Sequence, residues 1–174
     1  MNTLIMPAVL SLLSVSLPPA QTSQPKSGCE EADITTIGQL NTALSEKAVE
    51  IMKLASKPGN EPRLRQVVDA NATFSLGAGD VGRPMGKSLA GARAMASDMQ
   101  ADSYRFQLWS SIPTPIDNPC GRHEVTVEFI DKKNAFSYPI KFTFLGGRLI
   151  DASGWLTRFQ SGSMERTVKS VDTN

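Results

Sequence analysis

The chain has 174 residues, 40% hydrophobic and 20% charged, enough for one domain with a real core and too few for a comfortable second. Its 18 lysines and arginines against 17 acids give a formal charge of +1, and no stretch gathers the basic residues into a stripe, which argues against a nucleic-acid partner. A single histidine in the whole chain argues equally against a zinc site built from Cys and His, and no metal or cofactor is expected.

Residues 1–20 carry no charged side chain, and residues 4–17 form an apolar run of the length of a signal-peptide core. The run is shorter than a membrane span and is interrupted by Pro7 and several serines, so no stable membrane insertion is expected. The expectation is export, to a periplasm or out of the cell. It divides the chain into a signal peptide at 1–20, a polar tail at 21–35, one domain at 36–160 and a polar C-terminal tail at 161–174. Cleavage after Ala20 fits, and cleavage after Ser16 stays open. Cys29 and Cys120 agree with an oxidising destination: a disulfide between them would tie the mature N-terminus to the domain, whereas a reducing compartment would leave two separate thiols.

The main helix is expected over 36–57. Ile37, Leu40, Leu44, Ala48, Ile51 and Ala55 recur at helical spacing, Thr36 with Gln39 reads as a capping box, and Pro58-Gly59 stops the helix. Its other side, with Glu46, Lys47, Glu50, Lys53 and Lys57, reads as a solvated face. A short second helix starts at Asn60 with Pro62 in its first turn. A strand follows over 70–76, then a glycine-rich loop over 77–86, a third helix over 88–100, a strand over 103–112 and a proline-rich loop over 113–119. Gly82 to Ser88 ends in Gly-Lys-Ser before a helix, but it is one residue short of a phosphate-binding loop and Pro84 removes an amide, so no nucleotide site is expected.

The strongest pattern is a meander over 123–155. Val125, Val127 and Phe129 alternate with Glu124, Thr126 and Glu128, and then Phe136, Tyr138, Ile140, Phe142 and Phe144 alternate with polar residues. Each strand therefore has one wet and one dry face, and the preceding helices have a dry sheet face to cover.

In this order of elements the chain resembles the nuclear transport factor 2-like superfamily, the cone-shaped fold of ketosteroid isomerases, scytalone dehydratase and polyketide (SnoaL-like) cyclases. The matching segments are Val67-Val68-Asp69-Ala70-Asn71-Ala72-Thr73-Phe74, the glycine opening the third helix in Gly86-Lys-Ser-Leu-Ala-Gly-Ala-Arg93, and the meander segments Glu124 to Phe129 and Tyr138 to Arg148. The resemblance spans about residues 36–159. It implies an α+β fold in which three helices from the N-terminal half pack on the concave face of a curved, mainly antiparallel sheet, with a pocket between them. It also implies frequent dimerisation, and a homodimer through the outer sheet face is carried forward as an expectation.

Register is argued from turns. A four-residue turn at 131–134 sets Val125 opposite Ile140 and Val127 opposite Tyr138, with Glu124 facing Lys141. A two-residue Gly146-Gly147 turn sets Leu145 opposite Arg148, Phe142 opposite Asp151 and Tyr138 opposite Trp155. His123, Phe142 and Asp151 then share an inward row. Two function classes follow. In the first, an isomerase or dehydratase acts on a small hydrophobic substrate, with Asp151 or His123 moving a proton and Tyr138 steadying an oxyanion. In the second, favoured because the inward row is mostly hydrocarbon, the cone is a structural module or holds a small apolar ligand, lined by Tyr104, Phe106, Val127, Phe142 and Trp155.

Overall fold

A computed structural model describes residues 28–79, 81–107, 113–158 and 168–172. The expected leader, residues 21–27 of the 21–35 tail, the outer end of the 103–112 strand and most of the C-terminal tail lie outside these residues. Three helices, α1 (Ile37–Ala55), α2 (Glu61–Val67) and α3 (Ser88–Met99), accompany seven strands: β1 (Val68–Ala78), β2 (Val81–Lys87), β3 (Ser103–Gln107), β4 (Arg122–Asp131), β5 (Phe136–Leu145), β6 (Arg148–Arg158) and β7 (Val168–Asp172). They form one sheet in the order β2-β1-β6-β5-β4-β3-β7, antiparallel throughout except for the parallel pair β1 and β6.

The helix starts follow local chemistry. Thr36 adopts an extended conformation and its hydroxyl accepts from the Gln39 amide at 3.3 Å, as the capping pattern anticipates. The α2 helix is short and opens with Pro62. Its last carbonyls are gathered by the Arg148 guanidinium, which donates to Gln66 and Val68 at 2.7 Å and to Arg65 at 3.1 Å. Asp69 turns back on its own backbone, accepting from the Asn71 amide at 2.8 Å, a punctuation role at the start of β1.

The core lies between α1, α3 and the concave sheet face. Leu40, Leu44, Ile51, Met95, Val127, Ile140, Phe142 and Leu149 are all essentially solvent-free there. Phe129 meets Phe142 edge-on, with ring centroids 6.0 Å apart.

Three features depart from the sequence reading. The 77–86 stretch is a hairpin, with β1 running on to Ala78 and β2 returning along it as an edge strand. Glycines and Pro84 obscure the strand pattern, yet an edge strand tolerates proline where the pairing is interrupted, and the register shifts between Phe74 and Ser75, opposite Gly86 and Pro84. A short strand, β7, pairs with β3 inside what reads as a polar tail. The turn between β4 and β5 occupies residues 132–135, closed by Asp131 opposite Phe136, so each pair slides by two: Val125 faces Phe142, Val127 faces Ile140 and Phe129 faces Tyr138. A slip of two keeps the same residues inside. Asp131 is the reason for the later turn, since its carboxylate accepts from the Asn134 amide at 3.0 Å and from the Asn134 side chain at 2.5 Å.

Candidate functional site

The disulfide between Cys29 and Cys120 is present, with Cα atoms 5.6 Å apart across 91 positions of sequence. It anchors residues 28–34 at the β5–β6 turn, where the Gly146 amide donates to the Cys120 carbonyl at 2.9 Å. Beside it, Lys47 reaches from α1 to Glu31, to Glu30 at 2.9 Å and to the Gly147 carbonyl at 3.1 Å. Glu31 is 4% exposed, and its second oxygen is buried with no hydrogen-bond partner among the described residues. Burial alone would lower the Lys47 pKa. The hydrogen bonds and negative charges of Glu31 and Glu30 outweigh it and hold the ammonium above its ordinary value of 10.5.

Two cavities lie at the opposite end of the strands, around the C-terminal end of α3. Tyr104, Phe129 and Tyr138 sit side by side on β3, β4 and β5, and Met99 of α3 lines a groove together with Tyr104 and Phe129. On one side a groove of about 410 Å³ opens between α1, α3 and β3, with Val49, Met52, Met99, Tyr104 and Phe129 among its walls and Lys53, Ser56 and Lys57 also lining it. The Lys53 ammonium stands 5.1 Å from the centre of the Tyr104 ring. On the other side a cavity of about 330 Å³ is lined by Leu76, Val81, Leu156, Tyr138 and the ion pair of Arg83 with Asp98, whose atoms are 2.6 Å apart. Burial first, and then the charges of Asp131 and Asp98, push the Tyr138 phenol above its ordinary value, so near neutral pH its hydroxyl can donate a hydrogen bond.

The candidate acid–base groups stand in three places. Asp151 faces Thr143 and not Phe142, because the register shifts at Ile150 between the Phe144–Leu149 and Thr143–Asp151 pairs. Leu149 and Ala152 are both fully buried, and residues three apart on a regular strand point to opposite faces; one extra residue lets both enter the core. Asp151 consequently lies on the convex face, where it accepts from the Thr73 hydroxyl. His123 pairs with Phe144 at the disulfide end, its Nε2 2.8 Å from the Asn118 carbonyl oxygen. From Phe144 to Tyr138 is roughly 20 Å along β5 at about 3.3 Å per residue. Of the three, Tyr138 alone lines either of these two cavities.

The expected lining is divided in the same way. Tyr104 borders the groove, whereas Phe106, Val127 and Phe142 are core residues that reach neither cavity. Trp155 is not opposite Tyr138, since Ile140 faces Gly154 and Ser137 faces Thr157; it pairs with Gly77 of β1 and lies on the convex face, 44% exposed, its indole covering Gly77 so closely that a β-carbon there would run into the ring. Sequence reasoning missed Lys53 and Lys57 as groove residues, since a lysine at the edge of an amphipathic helix looks the same whether it borders water or a cavity. Among the described residues no cluster of three or more His, Cys, Asp or Glu side chains could hold a metal ion, and no helix is long and apolar enough to cross a membrane.

Helix, helix, hairpin, helix and then a meander closing over the helices is the order of the cone described above. The fold is nuclear transport factor 2-like. A nuclear transport factor 2-like protein of unknown function from Silicibacter pomeroyi is similar over 67% of this chain and 96% of its own, at 18% identity and a TM-score of 0.42. A protein of unknown function with a cystatin-like fold from Methylobium petroleophilum is similar over 76% of this chain and 87% of its own, at 12% identity and a TM-score of 0.42. A de novo designed protein of the same fold matches 67% of this chain and 86% of its own, at 11% identity and a TM-score of 0.40. No family model and no curated protein matches the chain.

Proposed function

We propose that this is an exported single-domain module that binds a small apolar ligand in the groove between α1, α3 and β3. The observation that carries the proposal is the groove itself: a cavity of about 410 Å³ with methionine, valine and aromatic walls. That volume falls within the range of about 300–1,000 Å³ common to small-molecule sites. Against the acid–base alternative stands the separation of Asp151, His123 and Tyr138, since general acid–base chemistry needs its groups within hydrogen-bond reach of one substrate. Export draws its support from the Cys29–Cys120 bond together with the uncharged apolar run over residues 4–17.

Ala101, half-buried in the groove lining, is the position to block. Ala101→Phe should abolish the perturbation of the Met52 and Met99 methyl resonances by an apolar probe such as 1-octanol, while the melting temperature stays close to wild type. Octanol binding that survives the substitution, or that never touches those methyls, would remove the groove from the proposal. Mass spectrometry of protein from its native host tests export separately, and an intact Met1 would end that part.

A further inference from the structure

We infer that the groove selects an amphipathic anion: a small monocarboxylate with a hydrocarbon body, its tail against Met52, Met99 and Phe129 and its head at Lys53 and Lys57. The inference rests on the reading of the groove as a ligand site. It starts from an imbalance of charge. Two lysines line the groove and no carboxylate does. Several other cations on or beside the helices are paired, Lys47 with Glu30 and Glu31, Arg63 with Glu50 at 3.1 Å, Arg83 with Asp98 and Arg93 with Glu61. Lys53 and Lys57 have no carboxylate partner among the described residues. The acid one turn before Lys53 is Glu50, which Arg63 occupies, and Asp102, between two lining residues, accepts from the Lys132 amide at 3.2 Å and the Ser103 hydroxyl at 3.0 Å.

The two ammonium groups are also not needed to finish the helix. The end of α1 is closed by other donors: the Ser56 amide to the Met52 carbonyl at 3.0 Å, the Ser56 hydroxyl to Lys53 at 2.9 Å, and the Asn60 side chain to Leu54 at 3.2 Å. What remains of the helix dipole is about half a negative charge, which two full positive charges exceed. Lys53 is held over the Tyr104 ring, which aims a cation at the groove without neutralising it. The walls add the complementary half of the ligand, because Met52 and Met99 are unbranched, polarizable side chains that adapt to an apolar body without demanding one shape. A neutral hydrocarbon would leave both cations unanswered, and an alkylammonium would meet them with like charge.

Sodium octanoate, 1-octanol and octylammonium chloride, titrated near neutral pH and low salt against the full chain, separate these cases. Calorimetry gives the affinity, and the Met52 and Met99 methyl resonances give the location. Octanoate should bind at least about tenfold more tightly than octanol, with octylammonium weakest, and the margin should vanish in about 1 M salt, where the screening length is only about 3 Å. Lys53→Gln with Lys57→Gln should bring octanoate down to the octanol affinity and leave octanol unchanged. Equal affinities for octanoate and octanol in the wild-type protein would overturn the anion preference while leaving an apolar site in place. Failure of all three probes to move the methionine methyls would overturn the groove reading, and this inference with it.

Discussion

Lys47 and Lys53 stand less than two turns apart on the same helix and illustrate two opposite uses of one side chain. Lys47 is enclosed, 15% exposed, and every direction its ammonium faces is answered by Glu30, Glu31 or the Gly147 carbonyl. Lys53 is exposed, its ammonium over the face of Tyr104 and without a carboxylate partner among the described residues. A cation whose partners belong to the fold contributes to holding the fold, and here it fastens the N-terminal segment beside the disulfide. One that lacks a carboxylate partner at the edge of a cavity contributes little to stability and is available to a ligand.

The comparison breaks most visibly at the disulfide end. Replacing Cys29 and Cys120 together by alanine should lower stability by about 4–5 kcal/mol in the chain-entropy model for a closed loop of this length. Denaturant unfolding of the oxidised and doubly substituted proteins measures it, and a difference below about 1 kcal/mol would mean that the segment stays docked in the unfolded ensemble or never constrains it. Next in size is Lys47→Met, expected to cost about 3–5 kcal/mol because it leaves the buried Glu31 carboxylate without its cation. Adding Glu31→Gln to Lys47→Met should recover most of the loss, since the amide carries no charge to strand.

The same ammonium sets a pH dependence whose sign follows from its raised pKa. A lysine held above 10.5 in the folded state contributes stability that is fully present below that value and is lost as pH rises through the higher folded value. The wild-type protein should therefore lose more stability on passing into the alkaline region above 10.5 than Lys47→Met does, and parallel alkaline profiles for the two proteins would contradict the assignment. The smallest effect belongs to the other end: Lys53→Gln with Lys57→Gln should change stability by no more than about 0.5 kcal/mol, the usual scale for exposed substitutions. A larger loss would make these lysines structural and erase the contrast with Lys47.

Much of this architecture is legible along the chain because its signals are local or periodic. The Thr36 cap, the stop at Pro58-Gly59, the alternation through Val125, Val127 and Phe129, and the tight turn at Gly146-Gly147 each follow from residues close in sequence, and each stands in the structure. The pairing of Cys29 with Cys120 was legible for a different reason, there being only two cysteines to pair. The site was not legible in the same way. Inward or outward placement along β6 depends on a single extra residue at Ile150, and nothing in Leu149-Ile150-Asp151-Ala152 says which apolar residue enters the core.

Local sequence thus determined the helices, the meander and the faces of β4 and β5, since a period of two survives a register slip of two. Tertiary packing decided the rest. Burying both Leu149 and Ala152 required the bulge that turns Asp151 and Trp155 to the convex face, where a carboxylate keeps its hydration. The meeting of α1, α3 and β3 decided that a groove would open beside Lys53, because a cavity is the volume that several distant segments together leave unfilled.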